Sequence, residues 1–164
     1  TFKAGERDKD SGFQKNKTGK TMNKQRILDK VFTKTYYIGE SGKSKDPDMK
    51  YVQACSDDSD VLSDYMESEI NRISGYMRKR LVSFSVEGES IIVTTNRPCR
   101  DEMVKVVENA LESYLVEYIA WKWVSDNYPN IADPSVKEER LWQLKDAITS
   151  LSPSVRRRAA TMGI

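Results

Sequence analysis

At 164 residues, with 38% hydrophobic and 32% charged residues and a formal net charge of +2, the chain has room for one domain with tails. It contains no histidine, which removes the commonest general base and metal ligand and excludes Ser-His-Asp and Cys-His catalysis within these residues. Its two cysteines, Cys55 and Cys99, are too few for a four-thiolate zinc site or a disulfide framework, which fits a reducing cytosol.

The charge is unevenly spread. Residues 1–24 carry seven Lys/Arg and three Asp/Glu, a net of +4; residues 154–164 carry three arginines and no acid, a net of +3. Set against the total of +2, the body between them is −5. An acidic body with two basic ends points to arms that reach for acidic partners, protein or nucleic acid. No apolar run approaches the ~20 residues of a membrane span, and the opening TFKAGERDKD has no apolar signal core.

In chain order, residues 1–22 read as a flexible basic arm, with Phe2 and Phe13 almost its only apolar residues. Asn23 is an N-cap for a first helix over 24–37, with Ile27, Leu28, Val31, Phe32 and Tyr36 on one side and Gly39 and Gly42 ending it. A polar loop follows over 39–48, then a short helical turn bearing Met49 and Val52. SDDSD (56–60) offers caps and acidic charge for a second helix over 59–81. Its buried stripe is Leu62, Tyr65, Met66, Ile70 (or Glu69), Ile73, Met77 and Leu81, and Arg78, Lys79 and Arg80 close it. Gly75 within it predicts a close helix approach or a kink. VSFSV and SIIVTTN, separated by EGE, alternate like strands and predict a β-hairpin at about 82–96. Two strands are marginal alone, so the hairpin must lie on the helices or pair with a strand of another subunit. Residues 98–128 hold the longest and most apolar helical run, apolar over much of its circumference, and predict a central helix. Asp133 as N-cap and Pro134 at the first position open a last helix to Leu151, with Leu141, Leu144 and Ile148 on one stripe and Trp142 alongside. The fold class that results is mainly α: a small helical bundle over 23–151 around one long central helix, with a hairpin insertion and basic arms at 1–22 and 152–164.

Chemistry is sparse. TGKT (18–21) and SGKS (41–44) lack the glycine five residues earlier that a phosphate loop needs; Gln14 and Tyr37 stand there. The cluster at 57–60 lacks the glycine and terminal glutamate of a calcium loop, so helix capping explains it. Glu108 and Glu112 share a helix face and read as solvated. Trp121, Trp123 and Trp142 read as core or subunit-interface residues rather than a ligand box. Arg156, Arg157 and Arg158 are open to three readings, contact with DNA phosphates, docking on an acidic groove of a partner protein, or a solubilising end; the apolar Ala159, Ala160, Met162 and Ile164 that follow favour a peptide that inserts into a partner protein. No catalytic, metal or cofactor site is expected, and no enzyme activity.

The acid-capped helix DDSDVLSDYMESEINRISGYMRKRL, the β excursion, the long helix DEMVKVVENALESYLVEYIAWKWVSDN and the helix KEERLWQLKDAITSL together resemble the head–tail connector (adaptor) proteins of tailed bacteriophages and prophages. QRILDKVFTKTYYIGES resembles proteins of phages that infect Bacteroidetes. The resemblance covers roughly 24–151 and is one of element order, with no invariant motif; the arm at 1–22 departs from the family. It implies a homo-oligomeric ring, of twelve copies, below the portal in the virion neck, assembled in the host cytoplasm. The partners it implies are the portal, the tail or neck proteins, and the DNA passing through the lumen. It implies that the tail with Arg156, Arg157, Arg158, Met162 and Ile164 reaches the portal. In such a ring, part of the central helix, with Tyr118, Trp121 and Trp123, is expected to lie under a neighbouring subunit. The alternatives are a nucleic-acid-binding module gripping DNA with its basic arms, or a head-completion or tail-terminator role.

Overall fold

The computed structural model describes residues 17–77, 82–95 and 98–151. In order they form strand β1 (Lys17–Asn23), helix α1 (Lys24–Gly42), two 3-10 turns (Pro47–Val52 and Ser56–Asp58), helix α2 (Ser59–Met77), strands β2 (Val82–Glu87) and β3 (Ser90–Thr95), and helices α3 (Asp101–Asn127) and α4 (Ser135–Thr149). The chain is mainly helical with one small antiparallel sheet, as its periodicity predicts. Among the described residues no helix is long and apolar enough to cross a membrane.

The hairpin turns at Gly88, whose φ of 60° suits a residue without Cβ. Val82, Phe84, Ile91 and Val93 are buried, while Ser83, Ser85, Ser90 and Thr94 take the alternate positions facing the other way. The hairpin does not wait for another subunit. β1 pairs antiparallel with β3, giving the order β1-β3-β2, with Met22 opposite Ile91 and Asn23 opposite Ser90. This corrects the reading of 17–22 as part of a loose arm. KTGKTM has too few apolar residues to announce a strand, and its backbone bonds to β3 place it there. Residues 1–16 lie outside the described residues.

Asn23 ends β1 and opens α1: its Oδ1 accepts the Gln25 N–H at 2.7 Å. α1 then runs past its expected stop, through both Gly39 and Gly42. These glycines mark a close approach, not a terminus. A Cβ on Gly39 would stand 2.8 Å from the Met49 carbonyl oxygen, and one on Gly42 would stand 2.4 Å from Met49 Cε. The 3-10 turn thus folds back on the helix that precedes it. Thr35, fully buried, completes the contact: its Oγ1 accepts the Ala54 N–H at 3.0 Å and donates to the Val31 carbonyl at 3.0 Å. Tyr36, expected on the buried stripe, is instead 44% exposed.

The acidic cluster caps the 3-10 turn that runs straight into α2, with the Asp58 carboxylate accepting the Cys55 N–H at 2.9 Å. Leu62, Met66, Ile70 and Ile73 are buried and Tyr65 is half-buried. The side chains of Met77 to Leu81, which include Arg78, Lys79 and Arg80, lie outside the description. Gly75 marks no close approach, because a Cβ there would meet nothing within 4 Å. The three glycines therefore give a graded prediction. Gly39→Ala should lower stability by about 1–3 kcal/mol, because backbone must move. Gly42→Ala should cost less, because the atom in closest conflict is the flexible end of the Met49 side chain rather than backbone. Gly75→Ala should raise stability by up to about 1 kcal/mol through helix propensity. Urea midpoints of the three variants check the order.

α3 is the central helix, in contact with α1, α2, α4 and β1. Val104, Val107, Leu111, Leu115 and Ile119 are essentially inaccessible along it. α4 returns along α3 and buries Leu144, Ile148 and, just past its end, Leu151. Its first turn is held by Asp133, whose Oδ1 accepts the Ser135 N–H at 3.0 Å and the Ser135 hydroxyl. These bonds hold the Asp133 carboxyl below its ordinary range. The helix starts at Ser135, one residue later than Asp133-Pro134 implied.

Candidate partner-binding surface

α1 and α4 both lie against α3 and leave a cleft between them. α3 contributes Glu112, Val116, Glu117 and Trp121 to it, and α4 contributes Lys137 and Arg140. α1 supplies cations at four-residue spacing, Arg26, Lys30 and Lys34, which brings them to one face. Arg26 Nε and Lys30 Nζ reach Glu112 at 3.0 and 3.3 Å, and Lys34 Nζ donates to Glu117 at 2.6 Å. Glu112 and Glu117 are only 15% and 14% exposed as side chains, so Glu112 does not belong to a freely solvated face. Carboxylates four apart do not reveal from sequence that another helix will cover them.

Beyond Lys34 the cleft opens into a groove of about 770 Å³ between the end of α1, the 47–52 turn and the loop after α3. Its apolar walls are Tyr37, Ile38, Met49, Tyr128 and Ile131, with Lys34, Lys45 and Asp46 at the polar positions. The Tyr128 hydroxyl donates to the Asp48 carbonyl at 2.7 Å and ties the end of α3 to the turn. Tyr37 is 62% and Ile131 46% exposed.

A second polar feature lies in the seam between α2 and α3. Glu69 sits on the buried side of α2, its side chain 1% exposed. Arg72 grips it with two bonds of 2.7 Å, and the Tyr114 hydroxyl donates to it from α3. Hydrogen bonding to Glu69 holds the Arg72 guanidinium above its ordinary value. Burial first, then the Glu69 carboxylate, push the Tyr114 phenol up. Burial and Glu69 do the same to Tyr118. Nearer the end of α3 the Tyr65 hydroxyl donates to Asp126; burial and that bond raise its phenol to about 12. A folded-state pKa above the unfolded value of about 10 favours the protonated phenol in the fold. That stabilisation is fully present below pH ~10 and is lost as pH rises towards ~12. We expect tyrosinate absorbance to lag behind that of the unfolded chain over this window, and the urea midpoint to fall across it. Tyr65→Phe should shift the fall.

The three expected interface aromatics are half-buried within the single chain. Tyr118 stacks at a tilt between Tyr114 and Trp121, with ring centroids 6.0 and 5.9 Å away. Trp121 lines the cleft and carries Lys137 Nζ 4.5 Å above its ring. Trp123 donates its indole N–H to the Val52 carbonyl. Trp142, which the sequence set merely alongside a buried stripe, is 67% exposed. Arg156, Arg157, Arg158, Met162 and Ile164 lie outside the described residues. The groove walls escaped the sequence reading, because Tyr37, Met49 and Ile131 come from three separate segments.

No family model, no curated protein and no solved structure matches this chain.

Proposed function

We propose that this chain is a structural virion protein, a head–tail connector whose copies form a ring below the portal and join capsid to tail around the DNA channel. The observation that carries the reading is a small helical body with an open apolar groove on one face and the unmatched aromatic Trp142 on another. A ring protomer needs two different side faces, because cyclic assembly joins unlike surfaces. It also keeps apolar surface that only assembly covers. The resemblance in element order over 24–151 supports the same role, and β1 adds a strand to the pattern. The half-burial of Tyr118, Trp121 and Trp123 leaves area for a neighbour. The basic tail with Arg156, Arg157, Arg158, Met162 and Ile164 is assigned to the portal. The acidic body suits a lumen past which DNA slides without sticking.

The test is native mass measurement and electron microscopy of the purified protein, alone and with its portal, beside a duplex DNA titration at two salt concentrations. Closed rings with a central channel and weak duplex binding are expected. A protein that stays monomeric at high concentration and binds duplex tightly, with the steep salt loss of phosphate contacts, is a nucleic-acid-binding module instead.

A further inference from the structure

We propose that the 47–52 turn is a flap that opens as one unit without global unfolding, and that its opening dismantles the groove. The proposal stands independently of the ring reading above.

The turn is fixed at both ends. Before it, the Lys45 and Asp46 N–H groups donate to the Gly42 carbonyl at 2.9 and 3.0 Å and hold the chain to the end of α1. After it, Ala54 is fully buried in the contiguous core, with its N–H on Thr35. Between these points the chain is loosely held. The turn's backbone bonds are local, such as the Met49 N–H to the Asp46 carbonyl at 3.0 Å. A single turn of that kind is marginal in water by itself. Among the described residues, its hydrogen bonds to the body both come from side chains at the end of α3. Trp123 donates to the Val52 carbonyl and Tyr128 to the Asp48 carbonyl.

The packing is equally separable. Pro47, Asp48, Lys50 and Tyr51 are exposed, so the turn buries only Met49 and Val52. Those two stand apart from the contiguous apolar core. Their seat on α1 is the bare backbone at Gly39 and Gly42. No α1 side chain at these positions interlocks with them, so the flap lifts without displacing a packed neighbour. α1 itself is held by Ile27, Leu28 and Val31, which lie in the contiguous core. Few buried contacts and few backbone partners mark a segment that opens locally. Asp46 and Met49 line the groove, and Tyr128, bonded to Asp48, lines it from the end of α3. Opening the flap removes the Met49 wall and frees Tyr128 from its tether. The groove is therefore a property of the closed flap, and closing the flap and filling the groove favour each other.

The test is native-state hydrogen exchange of the full chain, followed residue by residue by NMR at increasing urea concentration. The Trp123 indole N–H and the Met49 amide should share one protection factor, roughly tenfold or more below that of the Leu115 amide. Their urea dependence should be much weaker, because opening the flap exposes little surface. Ile73→Val, a mild truncation in the core of α2, weakens the fold and leaves the flap's own contacts intact. It should speed exchange of the Leu115 amide about fivefold and leave the two flap protons unchanged. Tyr128→Phe removes one tether and should speed both flap protons about fivefold. Flap protons that match the Leu115 amide in protection and urea dependence, or that quicken with it in Ile73→Val, overturn the proposal. So does an indole proton that exchanges while the Met49 amide stays protected, or a Tyr128→Phe variant whose flap protons exchange as in the wild type.

Discussion

Leu115→Ala is expected to lower the free energy of unfolding by about 2–5 kcal/mol. Leu115 is fully inaccessible at the middle of α3, the helix that α1, α2 and α4 all contact. Truncation there removes the transfer free energy of the lost carbons and leaves a cavity. Its walls are backbone and packed side chains from several elements, so they cannot all relax inward. A domain of this size is stable by about 5–15 kcal/mol, so the loss is a large fraction of the whole. Val106→Ala on the same helix is the control: Val106 is 56% exposed and its truncation should stay within about 0.5 kcal/mol. Urea unfolding followed by tryptophan fluorescence measures both. Equal midpoints for the two variants would contradict the placement of α3 at the centre.

Tyr114→Phe is expected to destabilise the fold by about 1–3 kcal/mol, although it removes a single oxygen. That oxygen donates to Glu69, a carboxylate with essentially no access to water. Without it one carboxylate oxygen loses a donor and gains no solvent. Arg72 does not fill the gap, because its two short bonds already hold both Glu69 oxygens and it leans outward at 58% exposure. The pair Glu69→Leu/Tyr114→Phe should recover much of the loss. It removes donor and acceptor together and leaves Arg72 free to solvate. The coupling in a double-mutant cycle should therefore reach about 0.5–3 kcal/mol. Additive single-variant effects would mean that Glu69 and Tyr114 do not act as a unit. This bond joins α2 to α3 at one register, because Tyr114 presents its hydroxyl to Glu69 across the seam.

Helix existence was legible because the 3.6-residue period of Leu62, Met66, Ile70 and Ile73, or of Val104, Val107, Leu111 and Leu115, is written locally. Caps were legible for the same reason: Asn23 and Asp58 act on backbone amides two or three residues away. The hairpin followed from alternation and a glycine that accepts positive φ. The central position of α3 followed from its apolar circumference, which exceeds what one partner covers.

Other features depend on which distant segments meet. β1 exists because β3 offers a row of backbone partners, and nothing in KTGKTM announces it. Gly39 and Gly42 resemble helix stops until Met49 folds back upon them. Glu112 resembles a surface carboxylate until the cations of α1 close over it, and Glu69, an alternative to Ile70 on the buried stripe, finds its partner only when Tyr114 reaches it from α3. Trp142 and the Tyr37–Ile131 groove are two faces only after α4 has turned its apolar stripe to α3. The sequence by itself determined the helices, their caps and the hairpin, since those rest on contacts within a few residues. The third strand, the buried carboxylates and the unlike exposed faces were decided by tertiary structure, since each is a contact between segments tens of residues apart or the surface such contacts leave uncovered.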